Sequence, residues 1–431
     1  MKLKNFNKNV LLIVGVMACF SLSAQVNYKK GGINTVNSAV PFLRIVPDAR
    51  GGAMGDVGIA TSVDPNTSYY NASKLVFAKR KLGLSLSYAP WLRALGITDI
   101  YLAHFSMYYK VSRNDVVHTS LKFFSLGQID YTDIDGNSLG TGRPNELTVD
   151  AGYSRRLGKG IGLGVAFRYI YSNLAKGQTT PGSSEIIRAG HAFGADVSFT
   201  YTKDLKMKNE KMKSNIMVGA AVTNIGTKIS YLKSSKEKDY IPTNFGAGIG
   251  YRIQPNKYHE VGVYADFNKL LVPTPDTIDN NNDGIADFKQ YSSMKGMFKS
   301  IGDAPGGFKE EMREWTMGIG AEYWYDHIFA VRAGYFLEAK DKGNRKFVSM
   351  GVGVKYSVFG LDFSYLIPTG GAARNPLDNT FRFSLKFDFA KVGGNQPEDD
   401  SYDINYKTDE VDKATRKKLR KQKGGSGTTA P

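Results

Sequence analysis

Ile161-Gly162-Leu163-Gly164-Val165-Ala166-Phe167-Arg168-Tyr169-Ile170-Tyr171-Ser172 places an apolar or aromatic side chain at every odd position and mostly glycine, alanine, arginine or serine between them. Successive side chains of an extended chain point to opposite faces, so this stretch is one strand with a greasy face and a small or polar face. Phe381, Phe383, Leu385, Phe387 and Phe389 alternate in the same way with Arg382, Ser384, Lys386 and Asp388. So do Val348-to-Tyr356, with Ser349, Gly351, Gly353 and Lys355 on the other side, Leu82-to-Tyr88 and Leu147-to-Tyr153.

Working outward, the alternation recurs near 82–88, 100–111, 115–126, 146–157, 160–173, 189–203, 213–224, 243–253, 258–268, 313–325, 328–338, 346–357, 359–366 and 380–389. Fourteen segments is an even number, and many are long enough to cross a bilayer as tilted strands, longer than the five or six residues usual in soluble sheets. Their connections alternate in length. The odd ones (89–99, 127–145, 174–188, 225–242, 269–312, 339–345, 367–379) are mostly long, and the even ones, such as 112–114, 158–159 and 326–327, are mostly short. Short turns at one end and long loops at the other are the signature of an outer-membrane barrel. The sequence therefore predicts an all-β chain, a 14-stranded antiparallel transmembrane outer-membrane β-barrel with an N-terminal plug or hatch, both termini periplasmic and the long loops extracellular.

Composition agrees. The 431 residues include 24 Phe, 25 Tyr, 3 Trp and 47 Gly at a mean hydropathy of −0.31. No stretch after the first 25 residues runs the ~18 apolar residues that a spanning helix needs. The single cysteine, Cys19, excludes a disulfide framework and a cysteine-rich zinc site. The net charge of +17 is concentrated: Lys413–Lys423 holds seven basic residues and no acid, and the first nine residues hold three more. A solvated basic tail explains that excess without nucleic acid.

Four regions follow. Residues 1–24 read as a signal peptide: Lys2, Lys4 and Lys8, an apolar Val10–Leu22, then Ser23-Ala24 before Gln25. The rival is a lipoprotein signal ending in Cys19. Residues 25–80 carry Arg50-Gly51-Gly52-Ala53-Met54-Gly55-Asp56 and Asn66, Asn71 and Ser73, too patterned for a linker and too poor in alternation for strands. They read as a plug, since a fourteen-stranded barrel needs filling. The glycines let the backbone pass close to the wall, and Asp56, Asn66 and Asn71 are placed to bond inward-facing polar groups; the rival is a periplasmic extension. Residues 81–390 form the barrel. Residues 391–431, acidic and then basic, lack a core and read as a disordered periplasmic tail, with Gly424-Gly425-Ser426-Gly427 an appended linker.

Within the longest loop stands Asp279-Asn280-Asn281-Asn282-Asp283-Gly284-Ile285-Ala286-Asp287. Oxygen side chains at positions 1, 3 and 5 with glycine at 6 suit Ca²⁺, which makes Asp279, Asn281, Asp283 and Asp287 candidate ligands of a structural calcium. Gln290 stands where a bidentate glutamate is wanted, flanking helices are not evident, and a metal-free Asn/Asp/Gly turn explains the same residues. No other cofactor is implied. The five histidines (His104, His118, His191, His259, His327) are scattered, and no nucleophile elbow, P-loop or H-E-x-x-H occurs, so an enzyme acting on membrane lipid lacks a catalytic constellation.

Val40-Pro41-Phe42-Leu43-Arg44-Ile45-Val46-Pro47-Asp48-Ala49-Arg50-Gly51-Gly52-Ala53-Met54-Gly55-Asp56, continuing to Tyr70-Asn71-Ala72-Ser73-Lys74-Leu75, resembles the PorV family, outer-membrane proteins of the type IX secretion system that are themselves similar to FadL-like barrels. The related pattern has Asn-Pro-Ala where this chain has Asn71-Ala72-Ser73. The resemblance implies a non-enzymatic protein that binds the C-terminal signal domains of secreted cargo at a large translocon barrel and shuttles them to a cell-surface attachment complex. Its partners would then be that barrel, the cargo, the attachment complex and outer-membrane lipids. The alternative is a FadL-like transporter of hydrophobic small molecules. In either case recognition falls to long loops such as 127–145, 225–242 and 269–312, with Trp91, Leu92 and Arg93 as exposed candidates in the first outer loop.

Overall fold

The computed structural model describes residues 35–389 except 94–95, 133–134, 180–184, 208, 210–211, 234–236, 276–278 and 370–379. The expected signal peptide with Cys19, the first ten residues of the expected plug and the C-terminal tail lie outside the described residues.

The strands are β1 (Leu82–Pro90), β2 (Ile100–Lys110), β3 (Asp115–Leu126), β4 (Ile129–Thr132), β5 (Ser138–Gly142), β6 (Asn145–Gly158), β7 (Ile161–Asn173), β8 (Gly190–Leu205), β9 (Lys213–Gly226), β10 (Asn244–Gln254), β11 (His259–Leu270), β12 (Trp315–Tyr325), β13 (Phe329–Leu337), β14 (Lys346–Tyr356), β15 (Phe359–Pro368) and β16 (Thr380–Phe389). All but β4 and β5 form one closed antiparallel barrel of fourteen strands, each hydrogen-bonded to its sequence neighbours in the wall. Closure is made by β1 against β16, from Leu82 opposite Phe389 to Tyr88 opposite Phe383. The fourteen periodic segments are the fourteen wall strands, with ends shifted by no more than two residues.

The alternation sorts side chains as expected. In β7 the burial alternates residue by residue, and Phe167 is 72% exposed on the outside while Arg168 is buried inside. Outward positions all round the wall are apolar, among them Leu86, Val165, Phe193, Val352 and Phe383. Such a belt belongs in hydrocarbon, and closure leaves no strand edge unpaired there. Inward positions carry Ser87, Ser106, Lys122, Asp150, Arg168, Thr200, Asp266, Glu322 and Arg382 instead.

Two regions read as plain loop contain structure. The loop after β3 rises as a hairpin of β4 on β5. The loop after β11 holds three short helices, Asp287–Gln290, Ser293–Lys299 and Phe308–Arg313. These turns are too short to show a helical period in sequence.

Residues 35–81 run inside the barrel among its inward-facing side chains, and are called the luminal segment below. Three bonds show their setting: Ala49 N–H donates to Ser384 Oγ of β16 (2.8 Å), Ser73 N–H to Ser198 Oγ of β8 (3.0 Å), and Lys122 Nζ of β3 to the Ile45 carbonyl (2.6 Å).

Candidate functional site

The luminal segment is organised around Asp48. Its carboxylate accepts the Gly51 N–H (2.9 Å) and the Tyr70 hydroxyl (2.6 Å), capping a single helical turn, Ala49–Gly52. Burial, and then the neighbouring Asp64 carboxylate, push the Asp48 carboxyl up, so the two donated bonds offset a real cost. The turn aims Arg50 at β12. Its Nε and Nη2 donate to the two oxygens of Glu322 (2.9 and 2.8 Å), and Nη1 reaches the Ser62 carbonyl (2.8 Å) and Asp64 (3.2 Å).

Following these charges round returns to the start. Glu322 also takes Arg332 of β13 (2.6 Å), Arg332 takes Asp362 of β15 (2.8 Å), Asp362 pairs with Lys386 of β16, and Lys386 lies 3.7 Å from Asp64. Arg50, Glu322, Arg332, Asp362, Lys386 and Asp64 therefore close a ring of alternating sign, three cations and three anions, away from bulk water. Removing any member leaves each of its two neighbours with one partner in place of two, an expensive loss for buried ions. The ring staples the luminal segment to four wall strands.

Residues 53–55 lie flat on the wall because the wall is glycine there. A Cβ on Gly334 of β13 would stand 2.0 Å from the Met54 carbonyl carbon, and one on Gly320 of β12 would stand 2.5 Å from Met54 Cβ. Gly55 has φ +69°, and a Cβ on it would meet the Tyr335 carbonyl oxygen at 2.5 Å, so both backbone and space require glycine. Gly51 abuts the Tyr70 ring and Gly52 the Arg382 guanidinium. Asp56, itself at φ +62°, faces Arg382 of β16 at 3.7 Å, and burial pushes its carboxyl up.

The second half of the segment is pinned by amides and hydroxyls. Asn71 Nδ2 donates to Thr200 Oγ1 (2.9 Å), the Phe199 carbonyl (3.2 Å) and the Ile59 carbonyl (3.1 Å). Asn66 Oδ1 accepts from Ser106 of β2 (3.1 Å), and Asp266 of β11 accepts the N–H groups of Gly58 (2.6 Å) and Ile59 (2.8 Å). The fully buried Lys74 donates to the Gly58 carbonyl and to Thr61 O (3.3 Å) and Oγ1 (3.1 Å).

Burial lowers the Lys74 ammonium to about 7, against the raising effect of Asp64 and Asp266. An unfolded lysine titrates near 10.5, so between those values the unfolded chain holds more protons and stability climbs with pH. The climb is at most about 1.4 kcal/mol per pH unit. We expect the thermal midpoint of detergent-solubilised protein to rise from pH 7 to pH 9.5, and the rise to flatten in Lys74→Met. Equal slopes in both proteins would remove Lys74 as the cause.

The charge ring and Asp266 were missed in the sequence, although one signal was there: Arg382 and Lys386 stand at inward positions of an otherwise aromatic strand. In the calcium-like loop, Asp279 accepts the N–H groups of Asp283 (3.3 Å) and Gly284 (2.9 Å), Asn281 Oδ1 that of Asp283 (3.3 Å), and Gln290 donates to both oxygens of Asp283 (3.1 and 3.0 Å). Asp287 opens a one-turn helix and accepts from Asn280. Among the described residues no three His, Cys, Asp or Glu side chains gather as a metal site. Trp91 and Leu92 are half-buried rather than exposed, the indole set edge-on to Phe124.

The loop rim is itself ordered. Tyr240, from the loop after β9, donates to the carbonyls of Phe288 (2.7 Å) and Tyr291 (2.9 Å) in the loop after β11, and Lys289 pairs with Glu237 (2.8 Å). Below them Lys269 meets Glu311 (2.7 Å) and Glu314 (2.5 Å), and Lys342 meets Glu310 (2.7 Å) and Glu314 (3.0 Å). In the same loop Met294, Phe298, Ile301, Phe308 and Met312 stand exposed, Phe308 at 78%.

The sequence profile of the type IX secretion system protein PorV matches residues 28–277, a stretch that covers the luminal segment and the wall through β11. The chain belongs to the PorV family. Its barrel, apolar belt and PorV membership together make it an outer-membrane protein of the type IX secretion class. No curated protein matches the chain. Similar solved structures include the toluene transporter TbuX of Ralstonia pickettii (11% identity, 79% of this chain and 98% of that one, TM-score 0.41). The toluene transporter TodX of Pseudomonas putida (10%, 83% and 98%, 0.43) and a FadL homologue of Pseudomonas aeruginosa (10%, 83% and 100%, 0.40) are others. At those scores the likeness adds nothing to the strand order read directly from this PorV-family barrel.

Proposed function

We propose that the protein is a non-enzymatic carrier of type IX secretion, which receives cargo by its C-terminal signal domain from a large translocon barrel and passes it to the cell-surface attachment complex. The observation that carries this reading is the occupied lumen: residues 35–81, bonded to the wall through the charge ring, the Asp266 carboxylate and Asn71, lie where a polypeptide moving along the barrel axis would have to pass. The luminal segment then acts as a plug, and recognition belongs to the rim of long loops. In this reading the rim is extracellular and both termini are periplasmic. Its exposed apolar side chains, Met294, Phe298, Ile301, Phe308 and Met312, are the natural place for a protein partner, since several large apolar side chains exposed in one loop favour an interaction site. PorV family membership supports the secretion role.

Purification from the native outer membrane in mild detergent tests it. The full-length protein should bring with it a very large barrel and cargo that keeps its signal domain. Phe298→Ser combined with Phe308→Ser should lower cargo recovery about tenfold or more, as loss of two interface anchors does, with barrel migration on gels unchanged. Recovery of lipids or small hydrophobic molecules alone would overturn the proposal in favour of transport.

A further inference from the structure

The end of the barrel that carries the short turns is uneven in charge. From the start of β1 round the wall to β9, neighbouring turns and strand ends present Arg80, Arg113, Arg155, Lys159, Lys203 and Lys206 exposed. Among the described residues of this arc the acids are Asp115 and Asp204, and both are engaged. Asp115 accepts from the Ser112 (2.5 Å) and Tyr153 hydroxyls and lies 3.6 Å from Arg155, and Asp204 accepts from Asn215 Nδ2 (2.8 Å). The turns from β10 to β15 instead present Tyr258, Tyr325, Ile328, Tyr356 and Phe359, with Lys257 as their exposed lysine. Those aromatics form a girdle of the kind that meets a membrane interface. Headgroups surround a barrel evenly, so lipid alone gives no reason for the cations to gather on one side of it.

The chain leaves the wall beside this arc. Phe389 ends β16, and its carbonyl accepts the Lys81 N–H (3.0 Å), next to Arg80. Residues 398–412 then carry seven acids, from Glu398 to Asp412, against Lys407 alone. An extended chain spans about 3.3–3.6 Å per residue, so Glu398 reaches about 30 Å from Phe389 and Asp412 farther. Six strand steps separate β16 from β8, each about 6 Å along the rim of a tilted barrel. The acidic stretch is therefore long enough to run the whole arc. We propose that the basic arc of the short-turn rim docks residues 398–412 of the same chain. One exposed ion pair is weak. Attachment at Phe389 holds the stretch at an effective concentration in the millimolar range, so several weak pairs act together. The inference is independent of what the long loops meet.

Zero-length carbodiimide cross-linking of the full-length protein, read by mass spectrometry, tests it in mild detergent and again in the native outer membrane. Amide bonds should join Glu398, Asp399, Asp400 or Asp403 to Lys159, Lys203 or Lys206 in both settings. They should fall about tenfold in about 1 M sodium chloride, where charges are screened within roughly 3 Å. Arg113→Gln combined with Arg155→Gln should lower the yield at Lys159 about threefold or more, with heat-modifiable migration of the barrel unchanged. Neither arginine can itself be cross-linked, so that loss reports docking and not the mere nearness of a lysine. Links from the acidic stretch to Lys413–Lys423 alone would mean that the two halves of the tail pair with each other, and would overturn the proposal. Rim links present in detergent and absent in the membrane would give the arc to lipid phosphates and overturn it equally. So would a yield at Lys159 that the double variant leaves unchanged.

Discussion

Gly334→Leu is expected to drive the luminal segment out of the barrel while leaving the barrel itself standing. A Cβ at this position lies 2.0 Å from the Met54 carbonyl carbon and 2.2 Å from the Gly55 nitrogen, both backbone atoms. Ordinary overpacking costs about 1–3 kcal/mol because side chains shift out of the way. Here the obstacle is a chain anchored on one side by the charge ring and on the other by Gly55 lying against Tyr335, so the usual relief is closed and the cost should exceed that range. The wall has less to lose. Gly334 faces inward, its pairing with Gly320 and Ser349 runs through the backbone, and those bonds remain whether or not the lumen is filled. Limited proteolysis in detergent should therefore cut the variant within residues 40–80, where the wild type resists, while the barrel keeps its heat-modifiable migration. Ala333→Leu, one residue away on the outward face, should behave as wild type. Protection of residues 40–80 in Gly334→Leu would show that the close approach does not hold the segment.

The wall was legible because its signal is local. Every second residue of Ile161–Ser172 or Phe381–Phe389 announces its face, and a one-residue slip would turn the whole strand over, so the pattern is under pressure along its full length. The Arg50–Asp56 stretch stood out for the same reason, as glycines and charges with no period. What its residues touch was not legible. Arg50 meets Glu322 across 272 positions, and Gly334 looks like any other small inward residue until Met54 is laid on it. The register that brings Glu322, Arg332, Asp362 and Lys386 to one level belongs to the closed barrel and to no single strand. The short helices of the loop after β11 escaped for another reason: the first of them is fixed by Tyr240 and Glu237 reaching across from a neighbouring loop to Phe288, Tyr291 and Lys289, which leaves no repeat behind.

Glu322→Gln should be the most damaging isosteric change in the chain, since it converts the one carboxylate shared by two guanidiniums into an amide. Arg50 and Arg332 then face one another across a neutral group, with Glu322 and Arg332 side chains at 1% and 0% exposure and no water to take up the charge. Breaking a buried pair from one side costs about 3–5 kcal/mol. Arg50 would keep Asp64 and Arg332 would keep Asp362, so the ring should open and not scatter, and the luminal segment should loosen before the wall does. Protease cleavage within residues 40–80 should thus appear at lower denaturant than loss of the barrel band. Coupling separates this account from a general packing defect. Arg50→Gln alone leaves Glu322 with Arg332 and Asp64 with Lys386 but strands the Ser62 carbonyl, whereas in the double variant the repulsion between the two guanidiniums is gone. The pair should therefore cost less than the sum of its parts by roughly 1–3 kcal/mol, the range found for directly interacting residues. Strict additivity would mean that the two side chains, though 2.8 Å apart, hold the segment independently.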